Sequence, residues 1–147
     1  MIRAIVAGAV VGALAACVPD VGAPLAGSCS DADSDPAHAV SFRAEIRPVI
    51  ARPMAGCNCH LPTAAGSTTA IQLSGLNLST LSNLRAGGLH SGAQVVVAGQ
   101  PCSSILYQKV DEAPPFGSRM PLGGPPYLSE SEIGLIHDWI AEGAADN

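Results

Sequence analysis

Cys57 and Cys59 flank Asn58, and His60 follows directly. No other stretch restricts the fold as much. Two thiols and an imidazole this close must share one turn of backbone, so whatever they bind is reached from that turn. Cys59-His60 is the second half of a Cys-x-x-Cys-His haem-attachment motif. In that motif the thiols add to the haem vinyl groups and the histidine binds iron. A single turn then presents sulfur to the porphyrin edge and imidazole to the metal. The usual first cysteine falls at Gly56, and this chain has Cys57 instead, so the spacing is Cys-x-Cys-His. On these residues alone a structural disulfide or a zinc site stays open. Zinc ligands are usually spaced by two to four residues and need a fourth donor, which Cys102 or His90 would have to supply.

Composition narrows what surrounds the cluster. The chain has 147 residues, enough for one domain. Only 3% are aromatic, namely Phe42, Tyr107, Phe116, Tyr127 and Trp139, so a large apolar plate such as a haem would help fill the interior. With 16 Gly and 12 Pro, much of the chain is expected as loop around short helices. The formal net charge is −5 and no basic stripe is visible, which argues against a nucleic-acid partner. An acidic carrier would instead meet basic faces.

Arg3 and the apolar run Ala4 to Ala16 describe an export signal over residues 1–16. The run is too short for an ordinary membrane span. Leu14-Ala15-Ala16-Cys17 resembles a bacterial lipobox, which implies lipidation of Cys17 and a membrane anchor. Val18 in place of Asp favours the outer membrane by analogy with Gram-negative sorting. The expected location is outside the cytoplasm, on the periplasmic side or at the outer membrane, where disulfides persist. Loss of Arg3 leaves 6 basic and 12 acidic side chains, or −6. Residues 17–39 are small and polar, with Cys29 and His38 among them, and read as a flexible tether. Residues 40–147 form the domain.

Phe42, Ile46, Val49 and Ile50 recur at helical spacing after Ser41, a suitable N-cap. Pro48 kinks that helix or starts a second turn, and Pro53 ends it. Met54 is too near the cluster to bind the opposite face of the same haem and reads as packing. After His60 the chain loosens through Thr69. Leu73, Leu76, Leu78, Leu81 and Leu84 form an apolar stretch with a helical turn around Ser79 to Arg85, stopped by Gly87-Gly88. Val95-Val96-Val97 is a short β-like run, and Ser103 or Ser104 caps a short helix carrying Ile105, Leu106, Tyr107 and Val110. His90 reads as a surface residue and the main alternative distal ligand.

Met120 stands in a Pro- and Gly-rich stretch, Pro114 to Pro126, without apolar neighbours at helical spacing. A thioether on a stiff loop suits iron ligation and raises the potential; the plainer reading is a gap-filling methionine. Ser129-Glu130-Ser131-Glu132 is a capping box with Leu128 and Ile133 as its staple. Ile133, Ile136, Trp139 and Ile140 make the apolar stripe of the last helix, His137 falls on its polar side, and Gly143 is a suitable C′ residue.

Taken in order, these pieces resemble a class I (mono-haem) c-type cytochrome domain, of the kind found in exported lipoproteins of planctomycetes and myxobacteria. The likeness spans about Val40 to Ala144 and is carried by SFRAEIRPVI, GQPCSSILYQKV, RMPLGG and LSESEIGLIHDWIAEGA. The resemblance implies an all-α, class I cytochrome c-like fold, with few short helices wrapped around one haem and much loop. It implies N- and C-terminal helices that cross and pack at Phe42 and Trp139. It implies haem c as cofactor, Cys57 and Cys59 as thioether sites with Cys59 the firmer, and His60 and Met120 as axial iron ligands. The shortened motif leaves the first thioether open. The cysteines are then accounted for in two ways. Either Cys57 and Cys59 serve the haem and Cys29 pairs with Cys102, or Cys59 alone holds it and Cys57 pairs with Cys29 or Cys102. The first leaves no spare thiol and is preferred, although spacing alone does not set connectivity.

The expected function is one-electron transfer with a redox partner protein rather than enzymatic catalysis, since His and Met at both axial positions leave no open site. The alternative is a haem-free degenerate module, stapled by disulfides and acting as a surface binding or structural lipoprotein.

Overall fold

The computed structural model describes residues 29–53, 56–62, 68–112 and 114–147. The export signal 1–16, Cys17, the first part of the tether and Met54 lie outside the described residues. Among those described the protein is helical and contains no strand. No described helix is long and apolar enough to cross a membrane.

The first helix begins where Ser41 Oγ accepts from the Ala44 amide at 3.1 Å. Its opening turn, Phe42–Ile46, is widened: the Ile46 amide donates to the Ser41 carbonyl at 3.2 Å and the Arg47 amide to that of Phe42. Pro48 explains the change of pitch. It has no amide to return to Ala44, and its ring crowds that carbonyl. The chain resumes as helix α1, Arg47–Ala51, with Pro48 tolerated in its first turn. Phe42, Ile46 and Ile50 are buried along one face.

The apolar stretch after the cluster divides. Helix α2, Thr69–Ser74, not anticipated in the sequence, begins where the loosened stretch was expected to end, and its Leu73 is 74% exposed. Leu78 is buried in the following segment, and Leu81 and Leu84 are buried on helix α3, Leu81–Ala86, capped by the Thr80 hydroxyl. The β-like reading of Val95-Val96-Val97 does not hold. Gly92–Val95 is a 3₁₀ turn that buries Val95, and among the described residues no second extended segment pairs with Val96. A 3₁₀ turn at Pro101–Ser103 leads into helix α4, Ile105–Val110. Ser104 occupies the N-cap position, but its hydroxyl accepts from the Val97 amide and donates to the Gln100 carbonyl.

Helix α5, Glu130–Ala141, is the longest element. The capping box is present: Ser129 Oγ accepts from the Glu132 amide, and the Glu132 carboxylate accepts from the Ser129 amide. Ile136, Trp139 and Ile140 are fully buried. Gly143 adopts φ +100°, and the turn closes with Ala144 N–H to Trp139 and Gly143 N–H to Ile140. That is the paired closure expected of a left-handed C′ residue. Phe42 packs against Trp139 with ring centroids 5.3 Å apart, joining the first and last helices. Arg52 bonds Glu132 at 2.6 Å beside them.

From Cys29 onward the segment read as a tether is held down. Cys29 is disulfide-bonded to Cys102. The Cys102 amide donates to Asp31, and the Ser34 amide and hydroxyl both donate to Asp138. His137, expected on the exposed side of α5, is half-buried by this segment. Its ring bonds the Ser30 carbonyl at 2.6 Å and Asp138 at 2.8 Å. Burial raises the Asp138 carboxyl, but the bonds from Ser34 and His137 outweigh it and hold the group below its usual value.

Two outcomes follow. Cys29→Ser with Cys102→Ser should lose about 2–5 kcal/mol in urea unfolding. A carboxyl held low in the folded state stabilises above its unfolded pKa and loses that contribution as pH falls through the folded value. The stability gap between wild type and Asp138→Asn should therefore be flat near neutral pH and close below pH 3.8. A gap that widens on acidification would contradict the Ser34 contacts.

Candidate functional site

The cluster follows α1 after a tight junction. The Cys57 amide donates to the Ile50 carbonyl at 2.8 Å, folding the chain back on the helix end. Position 56 lies in the fold-back. A Cβ there would meet the Arg52 carbonyl oxygen at 2.6 Å and Arg52 Cβ at 2.9 Å. Only glycine fits, so the cysteine expected at the start of a two-residue spacing is sterically excluded from position 56. The missing first cysteine thus has a local cause in the packing of α1.

Asn58–His60 is one 3₁₀ turn, with the His60 amide bonded to the Cys57 carbonyl at 2.9 Å. Side chains three apart in such a turn lie in line. Cys57 and His60 are accordingly both buried, while Cys59 is exposed. Both thiols are free. Burial, with Cys59 nearby, pushes the Cys57 thiol up to about 11.

His60 is held by the segment leading into α3. Its carbonyl accepts from the Leu78 amide at 2.9 Å, and its Nδ1 contacts the Leu76 carbonyl at 3.2 Å. A carbonyl only accepts, so Nδ1 carries the hydrogen and Nε2 keeps its lone pair. Burial keeps the imidazole below its usual pKa, against the upward effect of the Leu76 carbonyl. A neutral ring fixed through one nitrogen by a backbone carbonyl is the form in which histidine ligates metals.

Met120 arrives from the other side on a loop clipped to the end of α4. The last carbonyls of a helix lack partners within it, and here the loop supplies them. The Met120 amide donates to the Lys109 carbonyl at 2.7 Å, and Arg119 Nε donates to that of Val110 at 3.0 Å. Lys109 Nζ donates to the Phe116 carbonyl at 2.7 Å and to that of Ser118, and lies over the Phe116 ring. Arg119 stacks on Tyr127, with the guanidinium carbon 4.4 Å from the ring centre.

These parts enclose two cavities that share Cys57, His60 and Met120 as lining residues. The larger, about 490 Å³, also has Cys59 on its wall, with Leu73 of α2 and Leu122 of the Pro-rich loop. Its size falls in the range of ligand sites. Leu73 and Leu122 are 74% and 71% exposed, so two of the exposed large apolar side chains among the described residues lie on its wall. The smaller, about 120 Å³, is lined by Leu76, Lys109, Phe116 and His90. His90 is exposed as expected, and its ring also contacts Phe116, with centroids 5.8 Å apart.

The donor set fits a haem. It offers a neutral imidazole, a soft thioether and thiols around a largely apolar slot. It suits zinc less well: among the described residues no three His, Cys, Asp or Glu side chains converge to hold a metal ion. The four residues read from the sequence as haem contacts are thus brought to one site. The slot-lining role of α2, the Leu76 carbonyl and the Lys109 clamp were not anticipated. The last two are backbone-directed contacts with no signature in residue type. The chain matches no protein-family model, no curated protein and no solved structure.

Gly56→Ala should destabilise by about 1–3 kcal/mol through the forced contact with Arg52. Gly134, inside α5 with nothing within 4 Å of an added Cβ, is the control. Gly134→Ala should stabilise by roughly 0.5–1 kcal/mol in the same unfolding assay.

Proposed function

We propose that this chain is a one-electron carrier holding one c-type haem between His60 and Met120, within a class I cytochrome c-like fold. It is exported and tethered to a membrane through lipidated Cys17. The observation that carries the reading is the shared lining of both cavities by His60, Met120 and Cys57, contributed by segments far apart in the chain. The packing of the first and last helices at Phe42 and Trp139 supports the same fold.

A haem held by His60 and Met120 would supply one-electron exchange and would leave no coordination site for a substrate. The chain's residues do the rest. Leu76 fixes the His60 ring through Nδ1, so Nε2 need not reorient between redox states. Lys109 and Arg119 pin the Met120 loop, which keeps a weak thioether ligand in place. Leu73, Leu122 and the Pro121–Pro126 stretch give the slot a largely apolar wall, which favours the less charged, reduced centre. The partner is a redox protein, and the net charge of −6 left once the leader and Arg3 are removed suits one with a basic docking face.

The test is export of the full chain in cells that carry c-type haem maturation machinery, read by intact mass and the reduced pyridine haemochrome spectrum. The expected result is one covalent haem per chain. Colourless protein from competent cells would leave the haem-free, disulfide-stapled module as the reading. Met120→Ala should retain covalent haem, lose the sulfur–iron absorption band of the oxidised protein and lower the reduction potential. His60→Ala should lose low-spin haem altogether.

A further inference from the structure

Resting on the cytochrome reading, we infer that this slot takes its haem through one thioether bond, at Cys59, and that Cys57 remains a buried free thiol on the same turn.

Three observations converge on this. Position 56 cannot carry a side chain, because its Cβ would lie 2.6 Å from the Arg52 carbonyl oxygen. A thiol two residues further from Cys59 than Asn58 is therefore unavailable in this backbone. Cys57, one residue closer, projects differently. It sits in line with His60, is 6% exposed and packs into the same core cluster as Ile46, Ile50 and Trp139. Cys59 turns the other way, to the exposed wall of the larger cavity. Cys57 lines both cavities as well, but its thiol is buried against the core, whereas the Cys59 thiol is exposed on the wall of the larger one; side chains two apart in a 3₁₀ turn stand about 120° from each other.

The disulfide completes the argument. Cys29 and Cys102 are joined to each other, so neither is available to Cys57. With Cys59 bonded to haem, Cys57 has no thiol partner in the described fold. It keeps its hydrogen and fills space against the helix end.

The bond-forming step balances without an oxidant. The Cys59 S–H adds across one vinyl C=C. Sulfur bonds to the carbon next to the ring, the hydrogen goes to the terminal carbon, and nothing leaves. The second vinyl stays unsaturated and conjugated with the macrocycle.

The experiment uses the full chain matured in haem-competent cells. The protein is denatured, reduced, alkylated and digested, and the peptide spanning both cysteines is mapped by mass. The expected peptide carries one haem and one alkyl group, the latter on Cys57. The reduced pyridine haemochrome α-band should then lie to longer wavelength than that of a two-thioether haem. Cys57→Ser should keep covalent haem, and Cys59→Ser should lose it; if either variant fails to fold, the wild-type peptide map decides. A haem peptide with no alkylated thiol, or with the alkyl group on Cys59, overturns the inference and leaves the electron-transfer reading intact. A haem-free peptide alkylated at both cysteines overturns both.

Discussion

The bond from the Cys57 amide to the Ile50 carbonyl sets the position of the thiol cluster and His60. It joins the turn that carries His60 to the end of a helix whose buried face rests on Trp139. The His60 side chain is thus referenced to the core formed by the first and last helices. The fold-back is so close that the helix end excludes any side chain from position 56. Spacing in the cluster and packing of the first helix are one constraint: relaxing the first would require moving the second.

The opposite wall follows a separate logic. Helix α4 is short, and its final carbonyls face a loop instead of solvent. Met120 and Arg119 satisfy them, and Lys109 closes the loop from beneath. A Pro- and Gly-rich stretch with little intrinsic order thereby acquires a defined path. The two walls also share one core, in which Leu106 and Val110 of α4 pack in the same cluster as Cys57, Ile50 and Trp139.

What could be read in the sequence tracks how local each cause is. The capping box and C′ glycine of α5 lie within a few residues of the helix they bound, and the structure reproduces them. Ser41 and Pro48 are equally local, and so were their effects on the first helix. His137 was misread because helical periodicity knows only its own helix. The segment that covers it arrives from Cys29 through a disulfide to Cys102. Helix α2 escaped notice because it buries no residue and has no apolar stripe to announce it. Val95 has strand-like neighbours and a buried side chain, but no second extended segment among the described residues is there to pair with. At the site, residue types pointed to His60, Met120 and both cysteines. The unequal burial of the two thiols depended on a backbone contact that no spacing rule encodes.

The disulfide also fixes how the domain bears tension. A pull on the chain ahead of Cys29 passes through the sulfur–sulfur bond directly into Cys102, in the 3₁₀ turn that leads into α4. Residues 30–101, the thiol cluster and His60 among them, lie in the covalent loop that this bond closes, off that load path. A force on the chain at residue 29 is thus delivered to the turn that leads into α4 and bypasses the first helix and the turn it supports.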